Sequence, residues 1–388
     1  MRRVLITGGA GFIGSSLTKA LLLSKNCQVT VLDNLSRGSQ ENISHWLGTP
    51  NFEFIRSDLL DYSYGTNEQK SLLQKAVDSS DIIFHLAANP DIVIGSENTH
   101  IDFQQNVHAT HNLLESISRS QVSLDLSAGR NERRKKELIF ASSSAIYGEA
   151  DKRPTLENYS PLYPISLYGA SKLACEAMIS GYCHMFDIQC VIARLANIIG
   201  PTNAHGVVYD FITKLSSHPE YLDILGNGQQ NKSYLYIDDC VSALVLISEK
   251  MQSDDERTSS HDKNGERNRL LAYENSNGES NKSHRDIGDR QKHSQLEVYN
   301  VGSDDTSTVM EIARIVIDQL SLKNQEVRKV FKNNFGGGRG WKGDVPEFWL
   351  DCSKLKGIGW RPKYGDSNDA IIQTCKEYLK RNTMKKNH

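Results

Sequence analysis

A short β-branched run, Val4-Leu5-Ile6-Thr7, passes directly into Gly8-Gly9-Ala10-Gly11-Phe12-Ile13-Gly14, and an apolar stretch with helical spacing, Ser15 to Leu23, follows at once. Strand, G-x-G-x-x-G turn and helix in immediate succession leave few folds open. The glycines permit a tight turn, let a pyrophosphate approach the backbone, and let helix and strand pack closely. The helix N-terminus adds unpaired N–H groups and the positive end of a dipole. Gly8, Gly11, Phe12, Ile13 and Gly14 are therefore candidate contacts for a dinucleotide.

Asp33 stands at the end of the next β-branched run, Val29-Thr30-Val31-Leu32. A carboxylate there accepts hydrogen bonds from the adenosine ribose hydroxyls and repels a 2′-phosphate, which favours NAD over NADP. Arg37 is close enough in sequence to receive such a phosphate, and Asp33 also reads as a turn residue in Asp33-Asn34-Leu35.

The pattern repeats downstream. Short apolar runs at Gln28 to Leu32, Phe52 to Ile55, Ile82 to Leu86 and Leu138 to Ala141 alternate with segments of helical period, such as Leu17 to Leu23 and Val107, Leu113, Leu114 and Ile117. This predicts an α/β fold with a Rossmann-like, doubly wound parallel sheet. The expected organisation is a dinucleotide-binding domain over 1–193 and a smaller C-terminal α/β substrate lobe over 194–388, with residues near 232–250 returning to the first domain. Two polar stretches, 121–137 and 251–296, interrupt the pattern and read as solvated insertions. The second has too little apolar content to offset its ordering entropy and is expected to be largely disordered. Order resumes with a strand at Leu296 to Val301 and helices at Thr308 to Leu320 and Asp369 to Leu379.

In a parallel sheet, ligands sit beyond the carboxyl ends of the strands. Asn34, Asp58-Leu59 and Leu86-Ala87-Ala88 therefore belong at the cofactor crevice. Asp58 is a candidate cap for the adenine, and the small pair Ala87-Ala88 would let the pyrophosphate pass close to the backbone. Each reads equally well as a helix cap or a packing residue.

Tyr168 and Lys172, spaced by four in Tyr168-Gly169-Ala170-Ser171-Lys172, fall on one helix face. A lysine cation beside a phenol favours the phenolate and is expected to lower its pKa. Upstream, Phe140-Ala141-Ser142-Ser143-Ser144-Ala145-Ile146-Tyr147-Gly148 predicts a strand ending in hydroxyls, one of which can donate to a developing alkoxide or share its proton.

Composition narrows the class of partner. The chain has 388 residues, 38% of them hydrophobic, enough to bury a large core. A net charge of −2, from 45 basic and 47 acidic residues, provides no basic field for nucleic acid, and a small-molecule partner is expected. Seven cysteines without a C-x-x-C pair indicate neither a zinc site nor a disulfide framework. No segment approaches the roughly 20 apolar residues of a membrane span. The apolar run before the glycines is too short for a signal-peptide core, so a cytoplasmic location is expected.

The motifs TGGAGFIG, LDNLSRG, HLAAN, ASSSAIYG, YGASK and ARLANIIGP resemble the extended short-chain dehydrogenase/reductase family, in its NAD-dependent epimerase/dehydratase group, and are most similar to the UDP-glucose 4-epimerases within it. The resemblance covers nearly the whole chain apart from the two polar stretches. It implies that Tyr168 is the catalytic base, Lys172 its electrostatic partner and a holder of the nicotinamide ribose, and Ser143 the hydroxyl on the reacting oxygen, with Ser144 as the rival. Asn106 matches a family position near cofactor and active site, and reads also as a helix cap. Asn197 matches a contact to the substrate's diphosphate region. Lys232, where the family more often has Arg, and Arg339, near a departure from the family's R-x-G-D segment at Trp341, match its phosphate-binding residues. Phe348 matches a position flanking the sugar, where bulk disfavours an N-acetyl group.

Family members that dehydrate or decarboxylate carry an acidic residue three positions before the glycine that ends the serine motif. This chain has Ala145 there. The implied reaction is oxidation at sugar C4 followed by re-reduction on the other face, interconverting UDP-glucose and UDP-galactose with tightly held NAD, in a homodimer. Alternatives are epimerisation of a UDP-N-acetylhexosamine or a UDP-uronic acid, a one-way NAD-dependent dehydrogenase, and a non-catalytic NAD sensor. The sensor is disfavoured by the presence of both Tyr168 and Lys172.

Overall fold

Side-chain alternation along the strands organises the molecule. The computed structural model describes residues 1–127, 135–253, 295–322, 328–332 and 337–386. Strands β1 (Arg2–Thr7), β2 (Cys27–Asp33), β3 (Phe52–Arg56), β4 (Ile82–His85), β5 (Glu137–Ser143) and β6 (Gln189–Leu195) join the strand Leu296–Val301 in one seven-stranded sheet. Its order is Leu296–Val301, β6, β5, β4, β1, β2, β3, and every pairing is parallel.

Val4, Ile6, Ile82, Phe84 and Ile139 belong to the hydrophobic cluster on one face, while Leu5, Ile83, Leu138 and Phe140 belong to the cluster on the other. That is the period of two expected of a pleated strand. Helix α1 (Phe12–Leu23) covers the first face through Leu17, Leu21 and Leu22. The helices Asn67–Asp78, Ala109–Ser127 and Leu167–Phe186 bury Leu73, Leu113 and Ile179 against the second. Helices on both faces explain why the strands read as apolar runs rather than as alternating ones.

Successive strands fill the sheet outward from β1 in both directions, so the chain reverses its winding between β1 and β4. This is the crevice where open α/β sheets bind ligands.

The helix Leu167–Phe186 is fixed at its start by Ser166, whose Oγ accepts the Gly169 N–H at 3.1 Å. Such a cap contributes about 1 kcal/mol, and here it sets Tyr168 in the first turn.

Smaller sheets make up the rest. Asn197–Ile199 pairs with Tyr234–Tyr236, and Asn231–Lys232 lies between Ser307–Thr308 and Glu347–Phe348. The helix Val309–Gln319 starts with a reciprocal cap between Thr308 and Glu311. The last helix, Ser367–Lys386, is longer than its apolar pattern indicates.

Two boundaries differ from the sequence expectation. The strand Leu296–Val301 lies far beyond residue 193, yet it completes the first sheet beside β6. The helix Ala109–Ser127 continues well past Gln121, which is buried and accepts the Lys136 N–H at 2.8 Å. Lys136 is buried too, its amine donating to the carbonyls of Val77 and Ser80. Both margins of the first polar stretch are thus packed rather than solvated. Residues 128–134 and 254–294 lie outside the described residues, and with them most of the second stretch.

All seven cysteines are free and buried. Among the described residues no helix is long and apolar enough to cross a membrane, and no cluster of His, Cys, Asp and Glu is arranged to hold a metal.

Candidate active site

Every strand from β1 to β6 ends at one edge of the sheet, and most of the candidate residues lie just past those ends. Gly8 follows β1 with a φ of +73°, a conformation that favours glycine. A Cβ there would lie 2.7 Å from the Ala87 nitrogen, and one at Gly14 would lie 2.6 Å from the Gly9 Cα and closer still to the Gly8 carbonyl. No side chain caps α1 at Gly11, so its first-turn N–H groups remain available. Phe12 and Ile13 are half-buried in that turn.

Asp33 braces the same turn. Its carboxylate accepts the Ala10 N–H at 2.9 Å and the Leu35 N–H at 2.8 Å, and burial raises its pKa. Arg37, the residue that kept a 2′-phosphate in play, donates to Asn89 Oδ1 at 3.3 Å. Asn34 donates to Asp58 at 2.7 Å, and Asp58 also accepts the Leu60 N–H. The Leu59 side chain lies in the core on the far face of the sheet, so only its backbone remains to meet a ligand. Leu86, Ala87 and Ala88 are half-buried behind β4, facing the glycine turn at Gly8.

The reactive candidates converge from the helix Leu167–Phe186 and from β5. Ser143 lies beside the Tyr168 hydroxyl and favours its ionisation. Ser143 Oγ also accepts the Ala145 N–H at 3.2 Å. Ser144 is buried and starts a 3-10 turn, and of the two serines Ser143 is the one that acts on the phenol. Lys172 donates to the Ala141 carbonyl at 2.8 Å, and its Nζ lies 6.0 Å from the centroid of the Tyr168 ring and 4.8 Å from that of Phe140.

This corrects one expectation. Burial raises Tyr168 to about 12 despite the opposing influence of Ser143, and burial lowers Lys172 to about 8. The lysine's charge is engaged by a backbone carbonyl and is itself penalised by burial, so spacing alone does not deliver a phenolate.

Three buried groups around this pair carried no signal of their own in the sequence. His85 shares hydrogen bonds with Thr7 at 2.7 Å and Thr110 at 2.9 Å, and burial beside Lys172 holds it neutral by lowering it to about 3. Asp102, raised by burial, opposes ionisation of Tyr168, and its Oδ2 has no hydrogen-bond partner. Arg194 is buried and pairs with Glu176. Glu176 itself continues the spacing of Tyr168 and Lys172 by one more turn, a signal that was present in the pattern.

Asn106 is buried inside a short π-helical turn rather than exposed in the crevice. It accepts the Asn89 N–H at 2.7 Å and donates to Ser171 Oγ at 2.8 Å, and Ser171 donates to the Tyr168 carbonyl. It is neither a simple helix cap nor open to a ligand, and it supports the segment that carries Tyr168.

In the smaller lobe, Asn197 donates to the Ser233 carbonyl at 3.1 Å. Lys232 forms an ion pair with Asp344 at 2.5 Å and lies 5.0 Å over the Trp341 ring. Arg339 donates to the Asp344 carbonyl and pairs with Glu149, just past the serine motif. A Cβ at Gly343 would meet the Ile165 carbonyl at 3.1 Å, so this loop packs directly ahead of Tyr168. Phe348 is half-buried, packs on the main core, and stands in register with Lys232.

A family model described as the NAD dependent epimerase/dehydratase family matches residues 4–259. The chain belongs to that family. A putative UDP-glucose 4-epimerase of Methanocaldococcus jannaschii is 26% identical over 366 residues, covering 93% of both chains. UDP-glucuronic acid decarboxylase 1 of Xenopus tropicalis is 31% identical over 253 residues, covering 63% of this chain and 53% of its own. A crystal structure of UDP-galactose 4-epimerase superposes with a TM-score of 0.70 at 33% identity, covering 98% of this chain and 99% of that one. As a member of this epimerase/dehydratase family, the protein takes NAD. The turn at Gly8 and Gly14, where a Cβ would strike backbone, fits a pyrophosphate approaching the main chain.

Proposed function

We propose that the protein interconverts UDP-glucose and UDP-galactose through a transient 4-keto sugar. The observation that carries this reading is the placement of Ser143 beside the Tyr168 hydroxyl at the carboxyl edge of the sheet, with Ala145 in place of an acid next to it. In this reading Gly8, Gly11, Phe12, Ile13 and Gly14 hold the cofactor's pyrophosphate. Asp33, Asn34 and Asp58 hold its adenosine, and backbone at Leu59, Leu86, Ala87 and Ala88 lines its path. Bound NAD supplies the hydride-accepting and hydride-returning chemistry at sugar C4.

Tyr168 takes the proton of the sugar 4-hydroxyl and returns it, while Ser143 holds the reacting oxygen. Lys172 steadies negative charge as it forms on the phenol. Asn197, Lys232 and Arg339 hold the diphosphate region, and Phe348 limits the space beside the sugar. With no acid at position 145, proton traffic is confined to the Tyr168–Ser143 pair, which is enough for oxidation and re-reduction of one carbon. A cytoplasmic homodimer formed through the helices near Asn106 and Tyr168 completes the reading.

The test is incubation with UDP-galactose, followed by NMR for UDP-glucose, with and without added NAD. Interconversion without accumulation of reduced cofactor supports the proposal. Absence of interconversion of any UDP-hexose overturns it, and equal turnover of UDP-N-acetylglucosamine removes the role given to Phe348.

A further inference from the structure

Glu176 lies on the helix Leu167–Phe186 one turn past Lys172 and two past Tyr168, and its side chain is buried. Its carboxylate takes three hydrogen bonds. Ser142 Oγ donates to Oε1 at 2.5 Å, and Arg194 donates to both oxygens, from Nε at 3.1 Å and Nη2 at 2.8 Å.

Ser142 is the middle residue of a matched set. Ala141 receives the Lys172 amine, Ser142 bonds Glu176, and Ser143 lies beside the Tyr168 hydroxyl. Three consecutive residues at the end of β5 thus meet three helix residues spaced by four. Lys172 and Tyr168 are the reactive pair, and Glu176 supplies the third contact.

From Glu176 the network runs outward. Arg194 Nη1 donates to the Tyr147 hydroxyl at 2.9 Å and to the Glu157 carbonyl at 2.8 Å. Tyr147 donates to Asn300 Oδ1 at 2.8 Å, and Asn300 Nδ2 donates to the carbonyls of Thr155 and Asp351. Asp351 follows closely on Phe348, in the segment that also carries the Lys232 pairing. One polar chain therefore links the reactive helix, β5, β6 and the smaller lobe. A buried ion pair contributes little net stability compared with apolar packing of the same volume, so stability alone does not account for this one.

We propose that Glu176 is a positioning residue. Through Ser142 it holds the end of β5 in the register at which Ser143 meets Tyr168, and its charge supports the Lys172 cation. The inference deepens the epimerase reading and rests on it for its kinetic readout. Lys172 is faced on its own helix by Tyr168, Cys175 and Glu176, from β4 by neutral His85, and from β5 by Phe140 and the Ala141 carbonyl. Glu176 is the carboxylate in this set, and Arg194 on β6 is its counter-ion.

Two variants of the full-length, NAD-loaded enzyme test this. Ser142→Ala leaves the Glu176–Arg194 pair in place, so the fold is retained. Its kcat should fall about tenfold with KM for UDP-galactose and NAD content unchanged, because reacting groups lose rate steeply with misplacement. Glu176→Gln removes the charge. Titration of the Lys172 amine, followed by ¹⁵N NMR in lysine-labelled protein, should then move down by on the order of one pH unit, as expected on loss of a nearby opposite charge. The NMR shift is read whether or not any sugar is turned over, so failure of the epimerase reading shows separately as an inactive wild type. Wild-type kcat in Ser142→Ala, or an unmoved Lys172 titration in Glu176→Gln, overturns the proposal.

Discussion

The Lys172 ammonium donates to the Ala141 carbonyl at 2.8 Å while standing 6.0 Å from the Tyr168 ring centroid. The lysine thus bridges helix and strand, and its action on the phenol belongs to the proposed reaction. Burial lowers Lys172 to about 8, so its cation is present below that pH and is lost as pH rises through it. The pH profile of kcat/KM, which reports free-enzyme groups, should therefore decline above about pH 8. In Lys172→Met the residual rate should show no such limb.

Tyr168→Phe removes the hydroxyl that Ser143 engages. Epimerisation should drop by about 10²–10⁴-fold, the usual contribution of a positioned acid–base group. Co-purifying NAD, measured after acid release, should remain, because the glycine turn and Asp33 are untouched.

Gly14→Ala places a methyl group 2.6 Å from the Gly9 Cα and against the Gly8 carbonyl, with backbone on both sides. Neither neighbour is a flexible chain end. Thermal unfolding should show a loss of about 1–3 kcal/mol, typical of overpacking, together with loss of bound NAD. A variant that kept both would remove the role assigned to this turn.

Asp344 is nearly fully buried and relies on Lys232 for its counter-charge. Lys232→Met leaves that carboxylate uncompensated and should destabilise the fold by about 3–5 kcal/mol in urea titration. The double variant Lys232→Met/Asp344→Leu should recover most of this loss, whereas UDP binding by calorimetry should stay weak in both.

The cofactor half of the molecule was legible in the sequence because its signals are local. A strand, a glycine turn and a helix are adjacent in the chain, and the spacing of Tyr168 and Lys172 is a property of one helix. The same locality placed Leu296–Val301 as a strand but not in its sheet, since pairing with β6 joins residues about a hundred apart in sequence. Sequence spacing could not separate Ser143 from Ser144, since which of them acts on the Tyr168 phenol depends on how the end of β5 packs against the helix Leu167–Phe186.

By itself the sequence determined the parallel sheet, the glycine turn and the helical spacing of Tyr168 and Lys172, all of which follow from short-range period and spacing. Only the tertiary structure decided their electrostatics. Burial sets the ionisation of Tyr168 and Lys172, Lys232 neutralises the buried Asp344 carboxylate, and Glu176 joins Ser142 and Arg194 across three elements. These depend on groups brought together from distant parts of the chain and on the water their packing excludes, and neither is encoded in local pattern.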